Sequence, residues 1–339
     1  MRLAAMPAMG AITDERCAAL QAVHALPVLY NWTQSQPEND GMKVMLTGGA
    51  GDLGSVLTPM LAARGDTPLR LDIVQPTDPG GIYVAGSILD RDGLTRWFAV
   101  VDSVVHIAAW HGIHETTGAT DVYAFWDLNV TGTLNVFEAA HQAGVRQVVY
   151  LSSTSVRHRA SLYGHTKVLG EEIAQTYRTR HDMRVVTLRP RGFIPHWNRA
   201  VYASFVAWLA WFWGGAVHID DVAQAVVRSL DRLATAEEVP PVALVVDGAY
   251  EYNAADLASW DAEGPGSTFK RYYAPHEALA RRYGLLPEAK PVCYDIAETQ
   301  HWLGYVPRYS LRQALEELVR YGPAGPPGPS GHGAPLPGW

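Results

Sequence analysis

Tyr163 and Lys167 stand four residues apart, and Ser152, Ser153 and Thr154 precede the tyrosine by nine to eleven residues, all within LSSTSVRHRASLYGHTK, residues 151–167. On a helix, positions four apart share a face. A free phenol ionises near about 10, and an ammonium held against it favours the phenolate. Such a pair can take a proton from an alcohol as hydride leaves its carbon for a nicotinamide ring, while a neighbouring hydroxyl donates a hydrogen bond to the same oxygen. The same letters also suit a polar loop and the first turn of a surface helix, so the chemistry requires a dinucleotide site elsewhere in the chain.

That site is written in LTGGAGDLG. Gly48, Gly51 and Gly54 follow an apolar run and open a helical segment. Residues without side chains permit a tight turn and close approach of a pyrophosphate to backbone N–H groups at a helix N-terminus. Asp72, in LRLDIV, ends the next apolar run eighteen residues past Gly54. A carboxylate there accepts from a ribose diol and repels a 2′-phosphate. No Arg or Lys follows it until Arg91, which favours NAD over NADP. An Asp that merely begins a loop is the alternative. Asp90, in GSILDRDGL, either approaches the adenine or, with Asp92, serves as a helix N-cap.

The elements that must position these groups alternate. Strands are expected at 43–47, 68–72, 103–107, 147–151, 184–188 and 242–246. Helices are expected near 54–64, 91–99, 129–143, 163–180 and 220–233. This order predicts a doubly wound α/β fold, a parallel Rossmann sheet with helices on both faces, and a smaller C-terminal substrate lobe. The nucleotide domain would comprise 42–190 plus 217–248, and the lobe 191–216 plus 249–321. VYASFVAWLAWFWGGAVHI reads as a lobe-facing or buried helix followed by a strand, with Asp221 as N-cap of the next helix. Residues 1–41 read as an extension ahead of a second start at Met42, with a helical cap from Asp14 to about Ala25 as the alternative reading. Residues 322–339, rich in Gly and Pro, are expected to be disordered.

The 339 residues are 48% hydrophobic and 18% charged, with a formal net charge of −7 and no basic block, which argues against a nucleic-acid surface. No signal peptide or membrane span is evident. Two cysteines, Cys17 and Cys293, are too few for a disulfide framework and point to a reducing, cytoplasmic setting. The histidines have no metal-ligand spacing, so no metal is expected.

The ordered set TGGAGDLG, VVHIAAW, NVTGTLNVFEAA, VVYLSS, YGHTK, LRPRGF and VHIDDVAQAV resembles the extended short-chain dehydrogenase/reductases, the NAD-dependent epimerase/dehydratase family, over about residues 42–320. The resemblance implies that Gly48, Gly51, Asp52, Leu53 and Gly54 line the pyrophosphate. It places Asp72 on the adenosine ribose, Asp90 near the adenine, and Ala108 and Ala109 along the cofactor. Asn129 would start the helix beneath the site. Tyr163 and Lys167 would be the catalytic pair, with Lys167 also on the nicotinamide ribose. Ser153 would be the catalytic hydroxyl, with Thr154 as the alternative. The resemblance further suggests a homodimer through 129–143 and 163–180.

The chain also departs from the family. The run from Ser153 to Tyr163 is short, with Arg157 and His158 where Tyr-Gly is usual. WFWGGA lacks the arginine that nucleotide-sugar epimerases carry there, and Arg157, Arg159, Arg191 or Arg199 could replace it. Arg191 would meet an acidic substrate or lie solvated on a loop. Trp208 and Trp211 would pack a core or line a pocket, with Trp110 the better pocket candidate. The expected activity is therefore NAD-dependent removal of hydride from a secondary alcohol of a sugar-like or small cyclic substrate. A nucleotide-sugar epimerase with tightly bound NAD is the alternative. A non-catalytic dinucleotide sensor is the alternative of another class.

Overall fold

The computed structural model describes residues 41–328 apart from 159 and 237. The expected extension, save for Gly41, and the tail from 329 onward lie outside the described residues.

Seven parallel strands form one sheet in the order β3-β2-β1-β4-β5-β6-β7. They are β1 (Lys43–Thr47), β2 (Thr67–Asp72), β3 (Ile82–Ala85), β4 (Ser103–His106), β5 (Gln147–Leu151), β6 (Arg184–Pro190) and β7 (Leu244–Val246). Their middles are buried, as in Val44, Met45 and Leu46 of β1 and Val148 and Val149 of β5. Continuous apolar runs are what a parallel sheet covered on both faces requires. The first strand pairs with β2 on one side and β4 on the other, with Thr47 opposite Leu71 and His106. Strand order reverses between β1 and β4, so a crevice opens at their carboxyl ends. The short strand β3, IYVA, is absent from the sequence expectation because a four-residue run flanked by glycines carries little periodic signal.

Helix α1 (Asp52–Ala63) follows β1 directly. It buries Leu53, Val56, Leu57 and Leu61 on the sheet. Helix α2 (Arg91–Phe98) follows β3, and β4 leads into the short helices α3 (Gly112–Thr117) and α4 (Val122–Trp126). Instead of starting at 129, the next helix continues from α4 through a π-helical turn, Asp127–Gly132, into α5 (Thr133–Gln142). Helix α6 (Leu162–His181) follows β5 and carries the Tyr/Lys pair. It lies close on that strand at Gly170, where an added Cβ would stand 2.0 Å from the Tyr150 hydroxyl. That approach brings Lys167 over the end of β5.

The segments expected to form the lobe share a second hydrophobic core, built from α7 (Phe205–Trp213), α10 (Ser267–Tyr273) and α13 (Leu311–Tyr321). Trp208 belongs to it, stacked between Phe205 and Phe212 with its Nε1 donating to Ile194 O at 2.9 Å. Helices α9 (Ala254–Glu263) and α11 (Glu277–Arg282) complete the lobe. Helix α12 (Ala297–Leu303) instead packs with the sheet, since Leu303 and Tyr305 join the core of β1 and α8 (Ile219–Thr235).

Several expectations are corrected. No strand follows α7: residues 214–218 run straight into α8, tied by Val217 N to Gly192 O. His218, not Asp221, caps α8. Asp221 lies in its first turn and accepts the backbone N–H of Arg308 and Tyr309 at 2.8 and 3.1 Å, fastening the returning chain to the helix. The first residues of the tail are docked rather than disordered. Gly322–Ala324 form a 3-10 turn, Pro326 O meets His196 Nε2 at 3.1 Å, and Gly325 passes Phe205 too closely for a side chain. Glycine lets this segment lie flat against aromatic rings. Among the described residues no helix is long and apolar enough to cross a membrane.

Candidate active site

The glycine turn sits at the reversal point of the sheet. Gly48 has φ +69°, and an added Cβ would come within 2.9 Å of Ala108 backbone atoms, so β1 and β4 approach there only through glycine. Gly54 faces Gly49 O, 2.3 Å from where a Cβ would stand. Gly51 differs: it opens α1 with no side-chain cap, and an added Cβ would meet only Gly48 O at 3.3 Å. The turn therefore presents an uncapped helix N-terminus to open space, which suits an anionic phosphate. Leu53 is buried in the core, leaving its backbone for any such contact. The Asp52 carboxylate accepts from Asn198 Nδ2 at 2.8 Å, tying the helix start to the 191–204 loop.

Asp72 ends β2 beside this turn. Its carboxylate accepts from Ala50 N at 3.0 Å and Val74 N at 3.1 Å. Burial raises its pKa against these backbone bonds. Beneath the turn lies Arg70, fully buried, with its Nε on Gly49 O at 2.8 Å and its two terminal nitrogens on Asp78 at 2.7 and 2.9 Å. It joins the glycine turn to the loop after β2. Asp90 caps α2, accepting from Gly93 N at 2.9 Å. The capping alternative thus describes the geometry of Asp90.

At the other end of the crevice, Ala108 N donates to Thr47 O at 3.1 Å, carrying the chain past the turn toward Ala109 and Trp110. Asn129 lies in the π-helical turn and braces that stretch. Its Oδ1 accepts from Trp110 N at 2.7 Å, and its Nδ2 donates to Trp110 O and to Thr166 Oγ1 at 3.0 and 3.1 Å. Asn129 therefore joins the loop after β4 to helix α6 and does not start a helix. π-helical turns recur at functional sites.

Tyr163 and Lys167 come together with Ser153. Lys167 is buried, its Nζ donating to Leu151 O at 2.8 Å and standing 5.9 Å from the Tyr163 ring centre. Burial pushes its pKa down to about 7, opposed by Glu171. Burial pushes the Tyr163 phenol up to about 12, opposed by hydrogen bonding with the Ser153 side chain. The Ser153 hydroxyl also accepts from Ser155 N at 3.0 Å. Thr154 turns its hydroxyl away, to Pro190 O at 3.4 Å, so of the two it is the Ser153 hydroxyl that meets Tyr163. His106, beneath the crevice, bridges Thr47 and Thr133, and burial pushes its pKa down to about 3. It stays neutral and structural. Among the described residues no three His, Cys, Asp or Glu side chains group to hold a metal.

Residues 44–205 match the NAD dependent epimerase/dehydratase family. Over these residues the chain belongs to that family, among the extended short-chain dehydrogenase/reductases. It is 25% identical to UDP-glucuronate 4-epimerase 2 of Arabidopsis thaliana over 83% of this chain and 76% of that protein. It is 25% identical to uronate dehydrogenase of Pseudomonas putida over 56% of this chain and 71% of that protein. The structure of UDP-glucuronic acid 4-epimerase from Bacillus cereus, in complex with UDP-glucuronic acid and NAD, superposes with a TM-score of 0.61. It covers 83% of this chain and 98% of its own at 20% identity, a likeness of fold.

In this family member, several groups that the sequence does not single out hold the pair in place. Glu115, on α3, seats its carboxylate on the start of α6. It accepts from Leu162 N at 2.7 Å, Tyr163 N at 2.9 Å and Ser161 Oγ at 2.9 Å. Ser161 in turn caps the helix through Gly164 N at 3.0 Å. Glu171, one turn beyond Lys167, binds Arg189 at 2.8 and 2.5 Å and also accepts from Ser152. These partners lie 18 to 48 residues apart in sequence, beyond any local pattern. The acidic residue in HGIHETT is the only local signal of Glu115.

Burial alone would raise the Glu115 pKa, but the N–H groups of Tyr163 and Leu162 and the Ser161 hydroxyl outweigh it and hold it below the ordinary value. Its stabilising contribution is therefore complete above the unfolded carboxylate range and is lost as pH falls through the lowered folded value. Replacing Glu115 by Gln is expected to destabilise the protein by about 1–2 kcal/mol at neutral pH, the scale of a lost charged cap. Urea unfolding should show the gap between the two proteins closing below about pH 4. A gap independent of pH would refute the charged seat.

Proposed function

We propose that this protein is an NAD-dependent oxidoreductase that removes hydride from a secondary alcohol of a sugar-like or small cyclic substrate. The observation that carries the reading is the juxtaposition of Ser153, Tyr163 and Lys167 past the carboxyl end of β5, on the same edge of the sheet as a glycine turn whose helix start has no side-chain cap. The fit to a dinucleotide rests on the side-chain-free approach at Gly48 and Gly54, the free space at Gly51, and the Asp72 carboxylate beside them. NAD, when bound, supplies the hydride acceptor.

Tyr163 Oη takes the proton of the substrate hydroxyl, and Ser153 donates a hydrogen bond to the same oxygen. Lys167 would hold the nicotinamide ribose and, when charged, favours the phenolate. Left to burial alone, the tyrosine would keep its proton and the lysine would lose its charge. Glu171 keeps the ammonium favoured, and with Arg189 it fixes the side of the helix from which Lys167 projects. Asn129 and Glu115 hold the crossing loop and the helix start in register, so that the phenol has one position.

The second reading, epimerisation with hydride returned to the opposite face, is supported by the similarity to UDP-glucuronate 4-epimerase 2 over 83% of this chain. One experiment separates the two. Protein purified without added cofactor is denatured and assayed for NAD, and the native protein is screened with NAD against free sugars, sugar acids and nucleotide sugars. Net oxidation yields NADH in amounts matching the ketone or lactone formed. Epimerisation interconverts two sugars with no NADH accumulating and tightly retained NAD. Absence of both, with NAD bound and a partner protein altered, would favour the sensor.

A further inference from the structure

We propose that Arg157, laid on the face of Tyr294, is the group that receives an anionic part of the substrate, a carboxylate or a phosphate, and so sets substrate choice. The inference rests on the reading that a substrate alcohol sits at Tyr163.

Arg157 ends the 3-10 turn Thr154–Arg157, whose N-cap is Ser153. The turn is a single 3-10 turn, so its backbone advances only about 2 Å per residue and keeps Arg157 close to the catalytic hydroxyl. Its guanidinium carbon stands 4.4 Å from the Tyr294 ring centre. Stacking occupies the flat face and leaves the N–H donors at the edge, where an oxyanion accepts two of them side by side. Arg157 is exposed and makes no hydrogen bond or ion pair among the described residues.

Among the described residues, Arg191 and Arg189 are committed elsewhere. Arg191 lies 5.0 Å from the same ring but is buried and bound to Asp247 at 3.4 Å, Tyr250 Oη at 3.0 Å and Val292 O at 2.8 Å. It is neither solvated nor available to a substrate. Arg189 is held by Glu171. Tyr294 itself is fixed, its N–H donating to Asp247 Oδ2 at 2.8 Å. The ring is therefore a held platform between one structural arginine and one free arginine. It joins the turn carrying Ser153, after β5, to Asp247, just past the end of β7.

Binding is measured by calorimetry in NAD-saturated protein carrying Tyr163→Phe, so that turnover does not consume the ligand. The probes are D-glucuronate (carboxylate), UDP-glucose (diphosphate) and neutral D-glucose. At least one anion is expected to bind tenfold or more tighter than glucose, and the stronger of the two identifies the anion class. Arg157→Gln should abolish that preference while leaving glucose and NAD affinities within twofold, Arg157→Lys should keep part of it, and Tyr294→Leu should weaken it. Equal binding of anion and glucose, no binding of either anion at millimolar concentration, or a preference that survives Arg157→Gln each overturns the proposal. NADH formation and sugar interconversion by the protein with Tyr163 intact read the proposed function separately. Turnover of an anionic substrate with KM unchanged by Arg157→Gln sinks only the anion site. Arg157-dependent binding of an anion that is neither oxidised nor epimerised sinks only the hydride chemistry.

Discussion

Tyr163→Phe is expected to lower kcat on an identified alcohol by about 10³-fold, within the range lost when a positioned acid–base group is removed, while NAD affinity changes by less than about twofold, well under the tenfold that 1.4 kcal/mol represents. The ring itself is kept, and with it the packing of Gly112, whose absent Cβ would lie 3.3 Å from Tyr163 Cδ1. Only the hydroxyl and its bond to Ser153 are lost. Lys167 retains its bond to Leu151 O, so the binding side of the pair survives. The pH profile sharpens the test. Burial holds the phenol at about 12, so the reactive phenolate is scarce at neutral pH and the rate of the native protein should climb with pH on its acid side. The variant should lose that slope as well as the rate. Full turnover by Tyr163→Phe would remove the tyrosine from the mechanism.

Gly54→Ala is expected to act on both fold and cofactor. An alanine Cβ there would lie 2.3 Å from Gly49 O and 2.7 Å from Gly49 C. Both are backbone atoms, so no side chain can swing aside, and α1 must lift from the turn. Lifting it strains Leu53, Val56, Leu57 and Leu61, which pack the same helix on the sheet. Overpacking of this kind costs about 3 kcal/mol, read as a fall in Tm. NAD affinity should fall at least about 100-fold, equivalent to roughly 2.7 kcal/mol, because the helix start no longer meets the crevice. Gly51→Ala supplies the contrast. Its Cβ would meet only Gly48 O at 3.3 Å, so Tm should hold while NAD binding weakens, the methyl filling the space that the phosphate needs. Equal Tm and equal NAD titrations for all three proteins would refute the cradle.

The fold was legible wherever the signal was local and periodic. Six strands alternate with helices, the glycines punctuate β1 and α1, and Tyr163 and Lys167 share a helix face by spacing alone. The rest depended on directions that spacing does not encode. Ser153 and Thr154 are adjacent past the end of β5, and only the path of the chain turns one toward Tyr163 and the other toward Pro190. Asp221 looks like a helix cap, yet its partners are 87 and 88 residues on. Arg191 looked like a loop cation because Asp247, which buries it, follows 56 residues later. Asp90 could be read two ways because a cap and an adenine ligand occupy the same end of a strand.

The seat made by Glu115 has a consequence for how such a site can change over evolutionary time. A residue inserted within α3 would turn Glu115 by about 100° around its helix and carry the carboxylate off the start of α6. A residue added between Arg157 and Ser161 would move the receiving N–H groups instead. The two segments can change length only together, or the tyrosine loses its anchor. A chimera that imports a longer connection after Ser153 without a matching change in 112–117 would inherit a misaimed phenol. The pair, not either loop, is the portable unit of this site.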